Sequence, residues 1–252
     1  MSSFNYNEES NKGTWQTKDG KRQSPINILK SECSYDSTLS QMKFESSSEI
    51  TQTILRGTHN FSVNIEGSAH LSGGALKEKY SLVQYHFHWD DSDSYGSEHL
   101  LNGKAGASEI HLVFKNDSYA TFEECLNHGD GLAVFGVIIE LGDEDDRNLA
   151  IVAKNVDEFT KENDEIMDEI DLKKFFEGKT KDFFTYEGSL TTPPCSPCVI
   201  WTVSKDPIHV TKATLEKFKS SHMNCEDCKK CSNRRPYFDL AGRKLRSSFN
   251  WI

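Results

Sequence analysis

The run YSLVQYHFHW, Tyr80–Trp89, has the length and composition of a β-strand buried in a sheet. Side chains of a strand alternate between its two faces, so His86 and His88 share one face while Tyr85 and Phe87 share the other. Two imidazoles on one face can hold a metal ion, and they can equally arise by chance. The run therefore predicts a strand, and it leaves both interpretations of its histidines open.

Similar strand patterns recur along the chain. Runs rich in Val, Ile, Phe and Tyr are separated by Gly, Ser, Asn and Asp, and they read TQTILRG, HNFSVNI, SEIHLVF, LAVFGVIIEL and CVIWTV. Helical patterns are fewer and cover 121–128, 149–159 and a segment that begins with a capping Thr211. The charged segment 161–181 is expected to be a solvated excursion of helix and loop. Together these patterns predict one mostly β domain over 1–252, with helices at its periphery.

The charge and hydropathy of the chain exclude some partners. The formal net charge of −10 over 252 residues disfavours a nucleic-acid partner, because phosphate binding requires clustered Lys and Arg. No run approaches the roughly 20 apolar residues of a membrane span. The segment MSSFNYNEES lacks the apolar core of a signal peptide, which favours a cytoplasmic protein. A secreted chain without its signal remains the alternative, since Asn60 and Asn116 each begin a glycosylation sequon.

The seven cysteines leave a second question open. Their number is odd, so at least one is unpaired within the chain: Cys33, Cys125, Cys195, Cys198, Cys225, Cys228 and Cys231. Thiolates spaced C-x₂-C can bind zinc, and the five cysteines from Cys195 onward are numerous enough for a second metal site. A mixture of free thiols and local disulfides is the favoured prediction.

A third histidine lies in the run SEIHLVF. His111 follows Glu109 by two residues, as His86 follows Gln84, so each pair shares a strand face. If the two strands are neighbours, His86, His88 and His111 converge. Three imidazoles with an open fourth position are typical of catalytic zinc, whose ligands are usually hydrogen-bonded by a further polar group. The alternative is that His111 is a core histidine bonded to Glu109.

Seven motifs resemble those of the α-class, eukaryotic-type carbonic anhydrases. In chain order they are RQSPINI, QYHFHW, SEH, EIHLV, GLAVFGV, SLTTPP and NRRP. Match points run from Tyr6 to Phe249, nearly the whole chain. The resemblance implies the fold of that family: a central, mainly antiparallel twisted sheet of about ten strands, with short helices outside it. One Zn²⁺ per chain is then expected at the base of a conical cleft.

The resemblance also implies a role for each matching residue. The implied zinc ligands are His86, His88 and His111, with Gln84 and Glu109 as hydrogen-bond partners of the first and the last. Thr191 is expected to accept a hydrogen bond from zinc-bound hydroxide and to donate its own proton to Glu98, because an ionised carboxylate can only accept. The implied substrate pocket comprises Val113, Val134, Leu190, Thr192, Val199 and Trp201. His59 matches the proton-shuttle position, and Tyr6 matches a tyrosine at the rim of the pocket.

The implied activity is reversible hydration of carbon dioxide to bicarbonate and a proton. Sulfonamides and small anions are the expected inhibitors, and a monomer is the expected state. A catalytically silent binding module and a zinc esterase remain as alternatives. Cys195 matches a cysteine that is disulfide-bonded in extracellular members of the family. The usual partner is missing here, and Cys33 is the candidate to replace it.

Overall fold

The computed structural model describes residues 20–56, 60–158, 164–165, 170–220 and 232–251. Its strands, in chain order, are β1 Asn27–Ile28, β2 Cys33–Tyr35, β3 Lys43–Arg56, β4 Phe61–Ser72, β5 Tyr80–Trp89, β6 Leu100–Leu101, β7 Ser108–Asn116, β8 Leu132–Leu141, β9 Asp164–Glu165, β10 Phe183–Gly188, β11 Val199–Ser204, β12 Ile208–Val210 and β13 Leu245–Ser247. The α-helices are α1 Phe122–Cys125, α2 Arg147–Glu158 and α3 Lys212–Ser220, and the 3₁₀ helices are Gly20–Arg22, Lys30–Glu32 and Leu172–Phe175.

Within these ranges, eleven strands form one sheet. Ten of them lie in the order β2-β13-β10-β11-β8-β7-β5-β4-β3-β9, and β12 pairs with β8. Seven of the pairings are antiparallel, while β13–β2, β11–β8 and β12–β8 are parallel. Strands β1 and β6 form a separate parallel pair. The prediction of a mostly β fold with a mainly antiparallel sheet of about ten strands and short helices is therefore confirmed.

The two faces of the sheet bury separate apolar clusters. Tyr85, Phe87 and Trp89 point from β5 into the larger cluster, where Phe87 stacks on Phe218 of α3 with ring centroids 4.7 Å apart. The smaller cluster lies on the face opposite that aromatic row, and the residues that β7, β8 and β11 contribute to it include Val113, Val134, Val199 and Trp201. Because side chains alternate along β5, its aromatic residues pack into the larger cluster, and its two histidines lie on the opposite face.

All three predicted helices are present, and threonine side chains cap two of them at the N-terminus. Thr121 precedes α1 and its hydroxyl accepts the Glu124 N–H, but the helix ends at Cys125, earlier than predicted. Helix α2 covers most of the predicted 149–159. Thr211 accepts the Thr214 N–H at the start of α3, which agrees with its predicted capping role.

Over residues 170–181, the predicted helix and loop are present, but the prediction that this segment is solvated is wrong for its apolar residues. The 3₁₀ helix Leu172–Phe175 begins at the capping Asp171, and it buries Leu172 and Phe175. Phe176 then stacks on Phe44 with ring centroids 4.1 Å apart. The high charge of the segment hid these aromatic residues, which cover the outer strands of the sheet rather than project into solvent.

Two further findings concern the Asn116 sequon and the length of the helices. Asn116 is buried, and its side-chain amide donates to the Asp130 carbonyl oxygen, so this sequon does not present a free amide for glycosylation in the folded chain. Across the described residues, no helix has both the length and the apolar character needed to cross a membrane.

Candidate metal centre

Strand register brings the three predicted histidines together. Strands β5 and β7 are antiparallel neighbours in which His86 pairs with His111, and His88 pairs with Glu109. Because alternate residues share a face, all three imidazoles project from the same side of the sheet. One ring nitrogen from each lies within 4.8 Å of the others, close enough for a single metal ion to contact all three. The condition under which the sequence predicts that the three histidines converge, that their strands are neighbours, is met.

Each ring uses its other nitrogen to hold its orientation. His86 Nδ1 donates to Gln84 Oε1 at 2.9 Å, and His88 Nδ1 donates to the Asn233 carbonyl oxygen at 2.8 Å. His111 Nε2 donates to Glu109 Oε1 at 2.8 Å. Since these oxygens accept, the nitrogens left with a lone pair are Nε2 of His86, Nε2 of His88 and Nδ1 of His111.

The protonation state of the cluster also suits a metal. Burial lowers the pKa of His86 well below its ordinary value, and the nearby rings of His88 and His111 lower it further. Burial likewise lowers the pKa of His88 to about 4 and lowers that of His111. His88 Nε2 is buried without a hydrogen-bond partner among the described residues. Neutral imidazoles with such unpaired nitrogens fit Zn²⁺, which nitrogen ligands hold in an open three-histidine site.

Glu109 is the centre of a buried hydrogen-bond network. Its Oε1 also accepts from His99 Nδ1 at 2.7 Å, and its Oε2 accepts the His99 backbone N–H at 2.7 Å. His99 Nε2 lies 2.7 Å from the Tyr186 hydroxyl, which donates to Ser24 Oγ. Burial alone would raise the pKa of Glu109, but His99 and His111 together hold it well below its ordinary value. The network keeps Glu109 ionised beside His111.

Gly136 provides the space for this arrangement. It lies on β8 directly opposite His111, and a Cβ placed on it would come within 3.0 Å of Glu109 Oε1. A side chain at this position would therefore press on the carboxylate that orients His111.

A second buried carboxylate, Glu98, borders the cluster. Its Oε1 accepts the Arg235 backbone N–H at 2.7 Å, and its Oε2 lies 3.9 Å from His111 Nδ1. Burial raises the pKa of Glu98 to about 7, although His111, the Arg235 N–H and the Thr191 hydroxyl each act to lower it. The predicted partners Thr191 and Glu98 are thus neighbours beside the histidines.

The loop that carries Thr191 is fixed by its own hydrogen bonds. The Leu190 N–H donates to the Ser196 carbonyl oxygen at 3.0 Å, and the Cys195 N–H donates to that of Thr192 at 2.9 Å. The Trp201 indole N–H holds the start of the loop through the Ser189 carbonyl oxygen at 3.0 Å. The loop therefore presents the nearly buried Thr191 from a constrained backbone.

Five of the six predicted pocket residues lie in, or packed against, one apolar cluster. Val113 pairs with Val134 across β7 and β8, and Val134 pairs with Trp201 across β8 and β11, so these three form one row. Val113 stands two residues after His111, on the same face. The row and Val199 belong to the smaller apolar cluster, with Leu190 packed against it. Thr192 lies in the constrained loop beside Thr191.

Other predicted residues fall elsewhere. Tyr6, His59, Cys225, Cys228 and Cys231 lie outside the described residues, so their roles stay predictions.

The predicted disulfide between Cys33 and Cys195 is absent, since both are free thiols. Cys33 pairs with Leu245 at the edge of the sheet, whereas Cys195 lies in the Thr191 loop. Cys198 is also a free thiol, and burial raises its pKa to about 12.

Two residues of the site were not identified as such from the sequence. Asn233 orients His88 through a backbone carbonyl, which any residue type supplies, so its identity carried no signal for that role. His99 extends the network of Glu109, and the motif Ser97-Glu-His did contain it. The resemblance implied a role for the adjacent Glu98 and none for His99.

The whole-chain comparison agrees with this geometry. A family model described as eukaryotic-type carbonic anhydrase matches residues 7–249. The match spans every strand and helix given above and includes the three histidines, Glu98, Glu109 and Thr191.

Proposed function

Because the chain belongs to the eukaryotic-type carbonic anhydrase family, we propose that it catalyses the reversible hydration of carbon dioxide to bicarbonate and a proton. The observation that carries the proposal is the convergence of three neutral, individually oriented imidazoles on one face of β5 and β7. A binding module without catalysis would have no need for Thr191 and Glu98 beside them.

His86, His88 and His111 would hold one zinc ion through Nε2, Nε2 and Nδ1. When bound, zinc acts as a Lewis acid, and in the carbonic anhydrases it lowers the pKa of its bound water to about 7. Gln84, Glu109 and the Asn233 carbonyl keep the three rings from rotating. The protein thus fixes in advance the nitrogens that face the reaction.

Thr191 would select and orient the nucleophile. In its ionised form Glu98 only accepts, so the Thr191 hydroxyl commits its proton to that carboxylate. The Thr191 hydroxyl oxygen can then only accept a hydrogen bond. It therefore favours a nucleophile that donates a hydrogen bond to it, which leaves the lone pair of the nucleophile directed toward the substrate. The Thr191 backbone N–H would donate to bicarbonate or to an inhibitory anion. Carbon dioxide, which is apolar, would lie against the row of Val113, Val134 and Trp201.

The activity assay that tests this proposal compares two substrates. Stopped-flow hydration of carbon dioxide and hydrolysis of an activated ester are measured on the same zinc-loaded sample, before and after chelation. We expect both activities to depend on zinc and hydration to dominate by orders of magnitude in kcat/KM. Ester hydrolysis that equals or exceeds carbon dioxide hydration would favour a zinc esterase and contradict the proposal.

His59 would carry the released proton to solvent, with Tyr6 helping to order water at the rim. Histidine titrates near neutral pH and suits this task. We expect His59→Ala to lower kcat for hydration by about 10²-fold in weak buffer, the lower end of general acid–base effects. Because shuttling follows the chemical step, kcat/KM should change little, and concentrated imidazole buffer should restore kcat.

The matched control for this variant is His209→Ala, which removes a half-exposed histidine from β12, beside Glu140. It should leave kcat unchanged in both buffers. If His59→Ala behaves like His209→Ala in weak buffer, His59 is not the shuttle.

A further inference from the structure

Asn233 is hydrogen-bonded to β5, the strand that carries His86 and His88, through both its backbone and its side chain. Its N–H donates to the Trp89 carbonyl oxygen at 3.1 Å, and its side-chain Oδ1 accepts the Trp89 N–H at 2.7 Å. Its Nδ2 donates to the Phe87 carbonyl oxygen at 3.1 Å, and its own carbonyl oxygen accepts from His88 Nδ1 at 2.8 Å. Four hydrogen bonds thus connect one fully buried residue to three consecutive residues of β5.

Neither a helix nor a strand holds Asn233 in this position. Residues 232–237 have no regular secondary structure, and strand β13 begins only at Leu245. The position of the Asn233 carbonyl therefore depends on the hydrogen bonds of Asn233 to β5 and on side-chain contacts made by the residues beside it. The contacts of the neighbouring residues therefore add to how firmly the His88 ring is oriented.

Asp90 supplies these contacts on both sides of Asn233. Its Oδ2 accepts from Ser232 Oγ at 2.9 Å and from Arg234 Nε at 3.0 Å. The Arg234 guanidinium also lies over the ring of Tyr95, 4.2 Å from its centroid. Asp90 and Arg234 are each mostly buried, with side chains 23% and 18% exposed, so solvent screens this ion pair less than a surface one.

Asp90 directly follows the metal-carrying strand in sequence. The Asp90 carboxylate therefore joins the end of β5 to Ser232 and Arg234, the two neighbours of Asn233. We propose that Asp90 is a positioning residue for the metal centre, which acts through Ser232, Arg234 and Asn233 on the His88 ring. The inference rests on the proposed function, since it assigns Asp90 to the same zinc site.

The same loop contains a matched control. Asp93 accepts from Lys219 at 2.6 Å and lies 2.9 Å from the Lys212 ammonium, so it ties the loop to α3 instead of to Asn233. The Asp93 side chain is 27% exposed, similar to that of Asp90. Asp93→Ala thus removes a comparable ion pair from the same loop without touching the chain of contacts to His88.

The experiment measures zinc affinity in the wild type, Asp90→Ala and Asp93→Ala, by competition with a chromogenic chelator. Groups bonded directly to a metal ligand are typically worth 10–100-fold in affinity, so a group one step further out should be worth about 3- to 10-fold. We expect that loss for Asp90→Ala and unchanged affinity for Asp93→Ala. Thermal unfolding of the zinc-free proteins shows whether the two variants are equally destabilised.

A second readout follows the His88 ring without metal. In the zinc-free protein, the Nδ1–H proton of His88 should give a slowly exchanging NMR resonance, and Asp90→Ala should broaden it or speed its exchange while Asp93→Ala should not. If Asp90→Ala does not fold, Arg234→Gln removes the same ion pair from the other side and is expected to give the same two effects.

Each outcome is decisive. Equal zinc affinity in all three proteins, or equal losses in both variants, would overturn the role of Asp90. A wild type that binds no zinc would overturn the proposed function, and the NMR comparison would then decide separately whether Asp90 orients His88.

Discussion

His86→Ala is expected to abolish carbon dioxide hydration and to release the zinc ion. If zinc in a site of this kind is bound with roughly 12 kcal/mol, one of three ligands accounts for about a third, so its loss lowers affinity by about 10³-fold. The Gln84 side chain also loses the ring that it orients. Metal analysis after dialysis and stopped-flow hydration would measure the two effects, and hydration should fall below about 1% of the wild-type rate.

The control for this variant is His70→Ala. His70 lies on β4, where its ring contacts Ser68 and Ser81 rather than the cluster. It should retain both zinc and activity. Zinc retained at one equivalent by His86→Ala, with normal hydration, would remove this histidine from the metal centre.

Thr191→Val is expected to separate activity from metal binding. Valine keeps the shape of threonine but lacks the hydroxyl that lies next to Glu98. Removal of one preorganised hydrogen-bonding group typically costs about 10²- to 10³-fold in rate, and we expect about 10²-fold in kcat/KM here. Zinc content should stay at the wild-type value, because Thr191 contributes no ligand. Kinetics and metal analysis on one sample measure both.

Thr202→Val is the matched control for the loss of a hydroxyl. Thr202 is buried on β11, and its hydroxyl has no hydrogen-bond partner within the described ranges. Loss of an unsatisfied buried hydroxyl is neutral or stabilising. Its kcat/KM should therefore equal that of the wild type. A Thr191→Val enzyme within threefold of Thr202→Val would show that the hydroxyl does not act in catalysis.

The convergence of the three histidines could be predicted because it depends on local pattern. Period-two alternation alone places His86 and His88 on one face, and Glu109 with His111 on one face of the next strand. What alternation could not give is the pairing of His86 with His111, which depends on the register between strands. The family motifs supplied that step.

The remainder of the fold left weaker signals. Strands of two or three residues such as β1, β6 and β13 are too short for any periodicity, and they form only because their neighbours supply hydrogen-bond partners. The burial of Phe175 was hidden by the surrounding charge. The role of Asn233 lies in its backbone and in contacts with residues more than 140 positions away, which no local pattern encodes.

The central claim is that three imidazoles, and no thiolate, hold the zinc ion of this chain. X-ray absorption at the zinc edge, on protein carrying one equivalent, tests it most directly. We predict three nitrogen neighbours from the protein at about 2.0–2.1 Å, with no sulfur at about 2.3 Å. Sulfur in the first coordination sphere would instead place the ion among the cysteines, and would contradict the assignment of His86, His88 and His111.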